Sequence, residues 1–379
     1  MSNTNNINTF SEIIRFLRFP LTVMVVMIHA NILGEVSIGG VSYVYDYAGY
    51  PLYSNVAYFF SMIVFRIAVP MFFLFSGYLF FRDPHFTVRD YGRKLKRRTF
   101  SLLVPYVFWN LGVIVMFWVF QTVMPGMTSG ANKFVADYQF KDWVSAFWNI
   151  NQEMPICSQF WFVRDLMVVV ICSPLVYFLI SKLHYYYVSI LGILWLFEIN
   201  SGIAGLSFIS FFFFSLGGLI SIRRIDVIDA LGRNRKALYF LCAFFVLLRM
   251  VTYNLENIGI LAAQPKAIAL AVDNVSLLFL VATAICITAR GIGNRRWKTR
   301  DILYDSNFFI YAFHSLPLAF LIKVFVKYLN PTNDILLIFI YFIAPLITIA
   351  AGIALFVALH RLLPRFTALI TGGRFLLKS

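Results

Sequence analysis

Long apolar runs alternate with short polar segments along the whole chain. A helix needs about 17–25 mainly apolar residues to cross a bilayer. Runs near 15–34, 58–81, 99–122, 160–181, 185–200, 205–221, 237–253, 268–289, 304–326 and 335–360 meet or approach that length. The pattern predicts an all-α integral membrane bundle of about ten transmembrane helices. The fifth and sixth runs are short and poorly separated, so about nine or eleven spans fit as well. Thr9-Phe10-Ser11-Glu12 matches a capping box, which predicts a short interfacial helix beginning there, with Pro20 at the entry to the bilayer. Between the runs, 35–57 and 123–159 stand out as long connections rich in Tyr, Gly, Asn and Trp. They are read as a lid or acceptor cleft, or as plain surface connection.

Composition agrees with a membrane protein. The 379 residues are 60% hydrophobic and 13% charged, against about 45–50% and about 25% in soluble domains. The 42 Phe and 20 Tyr suit lipid-facing and interfacial positions. A net charge of +15 would suggest nucleic acid on a soluble chain. Here the charges sit in short loops between apolar runs, so no nucleic-acid partner is expected and membrane lipid is the solvent. Cys157, Cys172, Cys242 and Cys286 are scattered without CxxC or Cys/His spacing, which predicts neither a metal site nor a disulfide framework. No small-residue cleavage site follows the first run, which therefore reads as a permanent helix. With no internal repeat, residues 1–379 read as a single membrane domain.

The basic residues also orient the chain. With a cytoplasmic N-terminus, about 24 of the 32 Lys and Arg fall in inside segments, and about four, at Lys133, Lys141, Lys266 and Lys327, outside. The asymmetry predicts cytoplasmic termini and an even number of spans in a bacterial cytoplasmic membrane.

Few ionisable residues interrupt the apolar runs, and each costs roughly 2.5–3.5 kcal/mol at a helix centre, so each is a candidate for function. Arg18 and His29 lie eleven residues apart on the first run. That spacing puts them within about 20° of one face and about 16 Å apart along the axis. Arg66 lies about ten residues from either end of the second run, too deep to snorkel easily, and Ser76-Gly77 beyond it permits close helix packing. Arg164 and Asp165 stand at the mouth of the fourth run, where the carboxylate pairs with Arg164 or another arginine. Arg249 and Asp273 are weaker candidates near outer span ends, and His314 sits mid-span. Histidine is the usual proton-transfer group near neutral pH, and arginine suits phosphates and carboxylates. A histidine beside cations fits acyl transfer from an anionic carrier. On spacing alone, a transporter or flippase of a glycan or lipid fits too.

At these residues the chain resembles membrane acyltransferase family 3, whose members O-acylate bacterial glycans and other envelope molecules. The resemblance rests on ordered segments. They are Arg18 to His29; Arg66 to Gly77; Arg93-Lys94-Leu95-Lys96-Arg97-Arg98 through Pro105-Tyr106; Trp161-Phe162; the Phe-rich run ending Leu216-Gly217-Gly218; and Ser306 to His314. It implies an O-acetyltransferase using cytoplasmic acetyl-CoA, or another acyl-CoA, as donor substrate, with no permanently bound cofactor. The acceptor would be a hydroxyl of an envelope glycan or lipid-linked sugar. His29 then serves as base or acyl relay, and Arg66 steadies the oxyanion or holds the carrier. Arg18, Arg97 and Arg98 would attract the donor's phosphates, with Trp161, Arg164 and His314 as further substrate- or donor-binding candidates. Some members carry an extra esterase-like domain, which is not expected here because the chain ends soon after its last run.

Overall fold

The computed structural model describes residues 2–38, 41–83, 86–123, 133–149, 154–261 and 266–373. Parts of the 123–159 connection, at 124–132 and 150–153, lie outside the described residues. Helices α1 (Ser2–Ile28), α2 (Pro51–Phe80), α3 (Val88–Val123), α4 (Phe140–Trp148), α5 (Ser158–Ile171) and α6 (Ser173–Leu183) form the first half. Then come α7 (Tyr185–Leu196), α8 (Phe208–Ile222), α9 (Val227–Arg233), α10 (Arg235–Asn257) and α11 (Lys266–Gly293). The chain continues through α12 (Asp301–Phe313), α13 (Ser315–Leu329), α14 (Asp334–Leu362) and α15 (Pro364–Thr371). Strands β1 (Gly34–Ile38) and β2 (Val41–Tyr45) pair as an antiparallel hairpin between α1 and α2.

The class is therefore helical, as the sequence pattern predicts, but several elements differ from it. Among the described residues, five helices, α2, α3, α10, α11 and α14, are long and apolar enough to cross a membrane, or up to eight spans if each bent pair counts as one. The bent pairs are α5 with α6 (63°), α8 with α9 (100°) and α12 with α13 (67°). The run at 185–200 is only the 12-residue α7. The run at 15–34 stops at Ile28, where side chains take over from the helix ladder: Tyr53 Oη accepts from Ile32 N–H and Asn31 Oδ1 from Leu33 N–H. Thr9 to Glu12 lie inside α1, not at its start, so they cap nothing. A true cap occurs instead at Thr87, whose Oγ1 accepts from Asp90 N–H at 3.2 Å and starts α3.

The bundle is inside out relative to a soluble protein. On α10, Phe240, Phe244, Leu247 and Val251 form an exposed apolar stripe, while Leu238, Cys242 and Arg249 on the same helix are buried. The tightest helix contact joins α2 to α8. A Cβ on Gly77 would lie 1.9 Å from the Phe214 carbonyl oxygen, and one on Gly217 would lie 2.0 Å from that of Leu74. Two motif segments far apart in sequence thus close on each other through absent side chains. The main apolar core links α1, α2, α5, α8 and α12, and a second cluster links the end of α1 to the hairpin, α13 and α14.

Candidate active site

Helices α1 and α12 run in parallel and meet in polar rungs. Arg15 pairs with Asp301 at 2.5 Å. One turn on, Arg18 Nη1 donates to Tyr304 Oη at 2.7 Å. Thr22 Oγ1 then donates to Asn307 Oδ1 at 2.6 Å, fully buried. The last rung is His29 against His314, rings edge to face with centroids 5.0 Å apart. On α12 the partners Tyr304, Asn307, Tyr311 and His314 recur at helical spacing, a polar stripe that periodicity alone would reveal.

Beside the first rungs lies a cavity of about 820 Å³. Arg18, Arg82, Lys94, Arg97 and Arg98 line it, with Asp83 as its acidic residue. Asp83 is engaged by Lys94 at 3.0 Å, so most of the positive charge stays uncompensated within the lining. The charges of Arg18 and Arg97 bear directly on Arg98. Such a cluster persists where an anion neutralises it. Helix α15 closes the rim: Trp109 donates to the Ile370 carbonyl at 3.0 Å. Gly372 follows at φ +76°, where a Cβ would lie 2.5 Å from the Ser101 carbonyl oxygen, so a glycine is required on both counts. Deeper in, Thr22, Ser76, Asn307 and Tyr311 give the wall hydroxyl and amide groups. The cavity thus runs along the ladder as far as Tyr311, and neither His29 nor His314 is in its lining.

His29 sits just past the end of α1, and His314 sits at the break of the bent α12–α13 pair, mid-span if that pair is one span. In each, Nδ1 lies 2.8 Å from a backbone carbonyl, of Val25 and of Tyr311 respectively. A carbonyl only accepts, so the hydrogen-bond network assigns the proton to Nδ1 and leaves Nε2 with the lone pair in the neutral ring. His29 keeps exposed surface, whereas His314 is wholly buried and its Nε2 has no hydrogen-bond partner among the described residues. Leaving a buried polar atom unpaired costs about 1–3 kcal/mol, which makes that nitrogen a candidate for use in the reaction. The Val25 carbonyl, not a carboxylate, orients His29.

The other candidates lie apart from this ladder. Arg66 faces Asp273 at 3.6 Å and Glu198 at 3.9 Å. Arg249 holds Asp273 at 2.5 Å and also donates to the Met62 carbonyl and Tyr58 Oη. Arg66 thus belongs to a four-charge cluster and is not in the lining of the cationic cavity. Arg164 lies 2.9 Å from Asp165, the two side chains 3% and 2% exposed, and also donates to the Trp148 carbonyl. That pair ties α5 to the end of α4, a packing role. Trp161 opens the α-helical part of α5, half-buried. Sequence reasoning passed over Arg82, Lys94, Thr22, Tyr304 and Glu198 as individual candidates.

Comparison with known proteins agrees with the geometry. Residues 12–357 match a family described as an acyltransferase domain. Over 119 residues the chain is 29% identical to the succinoglycan biosynthesis protein ExoH of Rhizobium meliloti (strain 1021). That alignment spans 31% of each chain, so it covers under a third of the relative. No solved structure matches.

Proposed function

We propose that this chain, which belongs to the acyltransferase family matched over residues 12–357, moves an acetyl group from cytoplasmic acetyl-CoA to a hydroxyl of an envelope glycan or lipid-linked sugar. The observation that carries this reading is the cavity with five cationic side chains, joined by one polar ladder to a pair of histidines. The diphosphate and 3′-phosphate of the donor neutralise Arg97, Arg98 and Arg18. Its pantetheine arm follows Thr22, Asn307 and Tyr311 inward, and the thioester arrives at His29.

His29 Nε2 takes the proton of the acceptor hydroxyl as the oxygen attacks the thioester carbonyl. The C–S bond breaks, and the departing thiolate recovers the proton from the imidazolium. As an acyl relay, the same lone pair would instead attack the thioester carbonyl and expel the thiolate, and the acceptor hydroxyl would then take the acetyl group from the imidazole and release free His29. His314, with Nε2 free beside it, supports whichever proton movement occurs. The acceptor enters from the opposite, extracytoplasmic end, in a topology of about ten spans with both termini cytoplasmic in a bacterial inner membrane. The relative named for succinoglycan biosynthesis supports a glycan acceptor.

The donor half has its own test. Removing one charge-assisted contact costs about 1.5–3 kcal/mol, or roughly ten- to a hundredfold. Arg97→Gln and Arg98→Gln should each raise the acetyl-CoA KM by about tenfold or more, with a smaller penalty for 3′-dephospho-acetyl-CoA in at least one of them. An unchanged KM in both would remove the cavity as the donor site.

A further inference from the structure

The four-charge cluster around Arg66 lies along α2 from the cationic cavity. Arg66 and Arg82 are 16 residues apart in sequence, about 24 Å of helix rise. Glu198 follows α7, whose 12 residues rise only about 18 Å in a hydrocarbon layer about 30 Å thick. Near its end, the partly exposed Glu198, Arg66 of α2 and Asp273 of α11 gather over Arg249 of α10 as a shallow polar recess.

Exposure separates this cluster from a structural ion pair. Arg164 and Asp165 are 3% and 2% exposed, whereas Arg66, Glu198 and Asp273 are 30%, 43% and 26% exposed. Within the cluster the roles divide. Arg249 is locked by Asp273, Tyr58 and the Met62 carbonyl and acts as scaffold. Among the described residues, Arg66 makes only the two long pairs, at 3.6 and 3.9 Å, which leaves its donors available. Glu198 adopts a left-handed backbone at φ +49°, where glycine or asparagine would be easier. Holding a glutamate there costs of order 1 kcal/mol, a strain that collects at functional positions.

Aromatic rings adjoin the cluster through Tyr58, whose hydroxyl accepts from Arg249. Tyr58 and Tyr253 stack at 3.8 Å, Tyr47 meets Tyr253 edge to face, and the Tyr47 hydroxyl donates to Asn254. Guanidinium donors and carboxylate acceptors stand side by side here, with the charge of Glu256 also reaching Asp273. That suits a ligand that donates and accepts hydrogen bonds at once. A hydroxyl-rich ring with an apolar face, set against tyrosine, meets each condition.

We propose that this recess is the acceptor subsite and holds one sugar ring of the glycan. Arg66 donates to and Glu198 accepts from its hydroxyls, and Tyr253 lies against its apolar face. The Phe65–Ile67 turn packs on α1, the helix that ends just before His29. The assignment rests on the acetyl-transfer reading and adds where, and by what chemistry, the acceptor is held.

The test uses full-length protein in membrane vesicles, with alkali-deacylated host envelope polysaccharide as probe. In a background lacking the native cysteines, Glu198→Cys should react with an impermeant thiosulfonate added from the outside, and the polysaccharide should slow that labelling at least fivefold. Separately, Glu198→Gln and Tyr253→Ala should raise the polysaccharide KM at least tenfold while leaving acetyl-CoA binding unchanged. Absence of labelling in protein that still elutes as folded would overturn the recess. Labelling without protection, together with unchanged KM values, would overturn its role as acceptor subsite. If transfer from acetyl-CoA is absent altogether, protection of Glu198→Cys still reports sugar binding, so the two readings fail separately.

Discussion

Arg18 and His29 share a face because eleven residues make nearly three turns, and that much is arithmetic on the sequence. What the arithmetic omits is the partner of each. Arg18 meets Tyr304, His29 meets His314, and Arg66 meets acids contributed by α11 and by the end of α7. Choice of partner is a tertiary fact, since no local rule links positions nearly three hundred residues apart. His314→Ala should lower turnover by about tenfold or more with little change in acetyl-CoA KM, read from steady-state kinetics in membranes. Full turnover in that variant would make the unpaired Nε2 a packing accident. At the buried Arg164–Asp165 pair the expectation concerns stability. Asp165→Ala strands a buried guanidinium and should cost about 3–5 kcal/mol, whereas Arg164→Met with Asp165→Leu should cost much less. Thermal unfolding in detergent distinguishes them, and equal losses would show that the charges are not the issue.

The elements were legible where hydropathy and direction agree. The long runs that became α2, α10, α11 and α14 lie close to their expected bounds. The breaks were hidden because a window averages composition and is blind to direction: α12 and α13 are continuous in hydropathy yet bend by 67° at His314. The α2–α8 contact could be half read, since Ser76-Gly77 and Leu216-Gly217-Gly218 each signal close approach but neither names the other. Gly77→Ala puts a methyl group 1.9 Å from a backbone carbonyl that cannot swing aside. It should destabilise the protein by about 1–3 kcal/mol or more, seen as a lower melting temperature. Gly112→Ala on α3, where no atom lies within 4 Å of the added Cβ, serves as control. Similar losses in both would refute the close-contact reading.

Across the whole molecule, the asymmetry of Lys and Arg and the cationic cavity describe the same end of the bundle. Arg82, Lys94, Arg97 and Arg98 belong to one of the most basic segments of the chain and also line the cavity. Under the proposed orientation and donor, the same basic residues act as an electrostatic funnel for the acyl carrier. The topology follows through Thr87, exposed at the start of α3. In a background lacking the native cysteines, Thr87→Cys should resist an impermeant thiol reagent outside intact cells and react after permeabilisation. Labelling of intact cells would invert the orientation. Transfer itself is most directly tested with radiolabelled acetyl-CoA, in membranes carrying either the wild type or His29→Ala and supplied with deacylated host envelope glycan. Label should enter the glycan with the wild type and fall at least about a hundredfold in the variant, while full transfer by His29→Ala would contradict the mechanism at its centre.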